Sequence, residues 1–241
     1  VNTIMKMAVD YGLALGFPRR MNGRVDVLQH RRAEAVQARA QRIGLDAPDA
    51  VGHEGQVLRD DTLGDQAFWG DALKLHQAVQ GERFGGVGPG LSPRAALMLG
   101  LKVDVARLPS SLRSDIQDNR VNLDDPAVTL ALLQLNAVVG VHGFFEGDRL
   151  GSIGITCAFC HSTVDDALAP GIGRRLDGWA NRDLDVGSIV ALSPDLTPFV
   201  KLLGLPADAI RQVLHRWGPG KFEAELVLAG KAVNPNTGRS A

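Results

Sequence analysis

Cysteine occurs at two positions in 241 residues, Cys157 and Cys160, and His161 follows the second directly. Two thiols separated by two residues, with an imidazole beside them, share one short turn, and whatever they hold constrains the fold of the chain around them. The spacing is that of covalent haem attachment. Each thiol adds to one vinyl group on the porphyrin edge, and the turn brings the next side chain under the iron. His161 would be the proximal ligand, whose residue type helps set the electronics of the metal. Two other chemistries use such a pair. A redox dithiol sits at the start of a helix behind a βα unit, and residues 151–156 offer at most one short strand. A structural zinc site takes four ligands, so histidines from distant segments would have to complete it.

Around these residues the chain resembles class I c-type cytochromes. In that class a proline-containing turn, some ten residues after the motif, accepts a hydrogen bond from the proximal histidine through its carbonyl. Ala169-Pro170-Gly171-Ile172-Gly173 stands at a matching distance, and the resemblance makes Pro170 the residue that orients His161. A ligating imidazole needs its second nitrogen held, which fixes the ring and raises its basicity. Taken alone, the segment also reads as an ordinary Pro-Gly turn. A longer resemblance runs from about Asp60 to Lys231. It is carried by Phe68-Trp69-Gly70, Gly86-Val87-Gly88-Pro89-Gly90, Val121-Asn122-Leu123-Asp124-Asp125-Pro126 and Trp217-Gly218-Pro219-Gly220-Lys221-Phe222. These segments are similar to a poorly characterised group of bacterial cytochromes c whose members extend further at the C-terminal side. On that resemblance the chain is expected to be a shortened form, or a fragment of a larger multi-haem protein, with any second haem left open.

With 45% hydrophobic and 22% charged residues the chain can bury a sizeable core, and a net charge of −1 argues against nucleic acid as its partner. Aromatic residues are scarce, so Trp69, Trp179, Trp217 and the Phe144-Phe145 pair stand out, each expected in the core ahead of a place on a cofactor wall. Attachment of haem in this way implies export to the periplasm. Yet residues 5–17 carry Lys6 and Asp10 and lack a small-residue cleavage site, and Arg19-Arg20 is not followed by an apolar stretch. No transmembrane segment is expected.

The periodicity predicts helices with little strand. Residues 25–43 read as a solvated amphipathic arm, and the Pro/Gly-containing stretch 46–64 as a linker. Phe68, Ala72, Leu75 and Val79 share a helical face over residues 65–80. His76 lies beside that face, as a haem ligand or as a histidine bonded at the edge of the core. The glycine-rich stretch 81–90 lacks the Gly-Lys-Ser/Thr ending of a phosphate loop. Ser92-Pro93 opens a helix to about Leu101, with Met98 as core filler. Asp125 caps a buried helix carrying Val128, Leu132, Leu135 and Val139 and ending at Gly140. Further helices reach Leu203 and follow Pro206, the latter with Ile210, Val213, Leu214 and Trp217 on one face and His215 turned to solvent.

The expected fold is mainly α: a cytochrome c-like haem domain at 121–241, an arm and linker at 1–60, and a helical region at 61–120 packing on the haem domain. The expected cofactor is one covalent haem c on Cys157 and Cys160, with His161 and His76 on the iron. The resembled class supplies its sixth ligand as a methionine some sixty residues after the motif, but the last methionine here is Met98. His76 is therefore the first candidate, followed by His142, Met98 and His215. A filled sixth position implies an electron-transfer cytochrome serving a redox partner protein. An open one implies a peroxidase-like haem enzyme.

Overall fold

Among the described residues, three α-helices open on a side-chain cap and several end where the backbone turns left-handed. The computed structural model describes residues 57–220; the arm expected at 25–43 and most of the linker lie outside the described residues. A π-helical turn, Ala67–Ala72, precedes α1, Leu75–Gln80, and Lys74 between them has φ 54°. The helix expected over 65–80 is thus two pieces. The break lets Phe68, Trp69 and Leu73 on one piece and Leu75 and Val79 on the other all reach the core.

Helix α2, Pro93–Met98, starts at Ser92, whose hydroxyl accepts from the Ala95 N–H. It stops short of Leu101 because Gly100, at φ 82°, packs directly against the Asp183 and Leu184 backbone. Met98 is 80% exposed, which corrects its expected place in the core. Helix α3 is Ser110–Gln117. Helix α4, Pro126–Gln134, is capped by the Asp125 carboxylate on the Ala127 N–H. It ends well before Gly140, because the next residues are claimed by another strand. Asn136 turns left-handed, and then Ala137 and Val139 exchange backbone hydrogen bonds with Asp104 and Lys102. After α5, Ala158–His161, come α6, Val186–Ala191, α7, Thr197–Leu203, and α8, Ala207–His215.

Among the described residues, six strands form three two-stranded sheets: β1 Val103–Asp104, β2 Val141–Glu146, β3 Arg149–Ile155, β4 Ser162–Val164, β5 Ile172–Gly173 and β6 Arg175–Asp177. The pair β1·β5 is parallel, while β2·β3 and β4·β6 are antiparallel. Helix makes up 44% and strand 15% of the described chain, so the expectation of a mainly α fold is corrected to a mixed α/β one. Five of the six strands fall in the region read as the helical haem domain. Their glycines hide the pattern. Gly154 opposes His142 in the hairpin, and a Cβ there would meet the Thr62 side chain; a Cβ on Gly70 would strike Ser152. These glycines mark close approaches of neighbouring segments rather than loops.

One core joins Phe68, Leu73, Leu132, Ile153, Ile172 and Leu214 across the described sequence. A second cluster, Val139, Ala158 and Val164 with Leu58 against it, lies under α5. No helix among the described residues is long and apolar enough to cross a membrane.

Candidate haem-attachment site

The cysteine pair stands on α5, a single helical turn entered directly from β3. Thr156 donates its N–H to the Gly140 carbonyl as the strand ends, and Phe159 and His161 donate to the carbonyls of Thr156 and Cys157 to close the turn. Gly140, at φ 75°, is what allows α5 to sit so close, since a Cβ there would overlap the Phe159 backbone. Ala158 and Phe159 face inward at 0% and 5% exposure. Positions three and four apart share a helix face, and Cys157, Cys160 and His161 accordingly lie on the other side, with Cys157 and His161 exposed and Cys160 half-buried.

Both thiols are free. Burial pushes the Cys160 thiol up to about 12 and raises that of Cys157, where the nearby Asp61 and Asp65 carboxyls add to the effect. A redox dithiol needs the opposite, a thiol held low enough to ionise near neutrality. No group of three or more His, Cys, Asp or Glu side chains among the described residues is arranged to hold a bare metal ion, so a zinc site finds no support there.

Three segments fasten the turn from outside. The carbonyls of Cys160 and His161 accept from the N–H groups of Asn181 and Gly178, at 2.9 and 2.8 Å, and Asn181 also donates its side-chain amide to the Gly100 carbonyl. On β6, Asp177 accepts from Ser162 Oγ at 2.7 Å, Arg175 Nε at 2.6 Å and Arg59 Nε at 2.7 Å. Burial alone would raise the Asp177 carboxyl, but these three donors outweigh it and hold it below the usual range. Finally, Asp65 is 6% exposed and receives the Ile155 N–H at 3.0 Å and Trp69 Nε1 at 2.9 Å. Burial, opposed by these two bonds, pushes its carboxyl up to about 7. Asp65, Asp177 and Asn181 escape the sequence reading, while Trp179, expected in the core, is 68% exposed. Only the Asp177-Gly178 turn dipeptide signals any of them.

The other expected site residues are placed as follows. Pro170 is exposed in the turn between Ala169 and Ile172, and among the described residues no hydrogen bond joins its carbonyl to the His161 ring. His76 is 7% exposed on α1, with its ring bonded to the Gly70 carbonyl and its Nδ1 buried without a partner. Its charged neighbours are Asp71 and Arg149, at the hairpin end of β3, whereas Cys157 follows the opposite end. The structure thus does not bring His76 to the motif. His142 is half-buried on β2, its ring 5.1 Å from that of Phe144. Met98 points outward, and exposed His215 approaches Ser188 Oγ through Nδ1 at 3.3 Å.

The donor types fit a covalently attached haem: two free thiols and an imidazole on one helical turn, with Cys157 and His161 exposed and Cys160 half-buried against the core. Known families, curated proteins and solved structures give no match to the chain. The case for haem therefore rests on these residues and on their arrangement.

Proposed function

We propose that the chain is an electron-transfer protein carrying one haem c, linked to Cys157 and Cys160 with His161 as proximal ligand. The observation that supports this reading is the gathering of two free thiols and the His161 imidazole on one helical turn. Bound there, the haem supplies one-electron chemistry at its iron. The chain's own part is positional. Gly140 admits the turn, Gly178 and Asn181 fix its last carbonyls, and the Asp177 cluster fixes the strand leaving His161. The resemblance to c-type cytochromes adds export to the periplasm and a redox partner protein.

A peroxidase-like enzyme is the second reading, favoured by one observation: His76 lies against Gly70, Asp71 and Arg149 instead of near the motif. Denaturation followed by extraction with acidified organic solvent tests the cofactor. Haem should stay on the chain, and Cys157→Ala or Cys160→Ala should give a singly linked or haem-free product. Complete extraction from the wild type would end the c-type reading. Low-spin spectra in both oxidation states support the carrier; a high-spin protein reacting rapidly with peroxide supports the enzyme.

A further inference from the structure

We propose that the apolar cavity beneath α3 is a binding site for a small aliphatic molecule, and that α3 is the lid through which it enters. The site is separate from the cysteine turn, since none of Cys157, Cys160 and His161 lines the cavity. Leu132 on α4, Ile153 on β3 and Ile172 on β5, all buried, form its inner wall, and half-buried Leu97 and Val121 carry the wall towards the surface. Protein interiors seldom keep a void larger than one water. This one measures about 50 Å³, which is room for roughly three to five water-sized groups.

The wall decides what can fill that space. A buried water needs about two to four polar partners. Among the described residues Thr129 is the one polar member of the wall, and its Oγ1 is buried with no hydrogen-bond partner. Water is therefore poorly held there, whereas an aliphatic molecule of a few carbons gives up no hydrogen bond on entering and gains contact on every side. Access is set by α3. Its two apolar residues, Leu112 and Ile116, stand one turn apart on the same face, and both line the cavity. Among the described residues, every hydrogen bond and ion pair of α3 closes within residues 108–120. The helix is thus held over the cavity by these two side chains and by chain connectivity, and an element with so few outside ties opens at little cost.

Methyl NMR of the full chain, titrated with xenon and with n-butane, tests the site. The methyl signals of Leu132, Ile153 and Ile172 should shift saturably, while those of Leu214, in the same core but outside the cavity, should not. Ala96 also lines the cavity, so Ala96→Leu should fill it and weaken butane binding on the order of tenfold or more, with circular dichroism checking that the variant is folded. Hydrogen exchange tests the lid: amides of α3 should exchange on the order of tenfold faster than those of α4, and butane should slow them. Absence of a saturable shift in the wild type, equal shifts at Leu214, or undiminished binding in folded Ala96→Leu overturns the site. Exchange in α3 that is as slow as in α4, or that butane leaves unchanged, overturns the lid.

Discussion

Asp65→Asn separates the cost of a buried charge from the worth of the bonds around it. The Asp65 carboxyl moves from an ordinary 3.8 to about 7 on folding, mainly through burial, with Asp61 adding to the rise and the bonds from Ile155 and Trp69 opposing it. Between those two values the folded protein keeps a proton that the unfolded chain has released. Stability is therefore greatest below 3.8, falls as pH rises to about 7, and stays level above it. At about 1.36 kcal/mol per pKa unit the loss is roughly 4 kcal/mol. Asparagine does not titrate, but it accepts only one of the two N–H groups and leaves the other unsatisfied, at a cost of about 1–3 kcal/mol. The variant should be less stable than wild type near about pH 4 and as stable or more so near about pH 8. Urea unfolding followed by far-ultraviolet circular dichroism measures both proteins, and their difference cancels the other titrating groups. A difference that stays constant across this pH range would refute the reasoning.

Gly140→Ala forces a Cβ into the Phe159 backbone at a left-handed φ of 75°. The φ term alone costs about 1–2 kcal/mol, so the variant should lose more than that in urea unfolding and attach haem poorly; wild-type stability would disprove the close approach. His76→Ala removes a buried ring on α1 distant from the motif, so it should lower stability while leaving the spin state and cyanide binding of the haem protein unchanged. A switch to a high-spin spectrum would instead place His76 on the iron.

Local signals in the sequence survive wherever a residue acts on its own backbone. Ser92-Pro93 and Asp125-Pro126 open helices as read, and Ile210 and Leu214 face inward while His215 faces out. Features set by distant pairing are not legible. The α4 helix ends early because Ala137 and Val139 bond to the β1 region, and β3 exists because Val141–Glu146 lies beside a glycine-bearing stretch with no alternation of its own. At the candidate site the sequence shows the residue types, since Cys157, Cys160 and His161 are neighbours along the chain and share one turn. It does not show their supports. Asp65 and Asp177 act on Ile155 and on Arg59, 90 and 118 residues away, and no periodicity records such a link.

Those same long links set an order of events as the protein forms. Arg59 cannot reach its partner on β6 until the chain has emerged past Asp177, and contacts of such wide sequence separation close late and slowly. Until then the turn bearing Cys157 and Cys160 has neither the Asp177 knot behind it nor the Gly178 and Asn181 bonds across its end. Topology thus sets a delay before the turn is held, and under the haem reading proposed above this is the interval in which the thiols would be joined to a porphyrin. Closure of the last contacts then fixes the geometry of the turn.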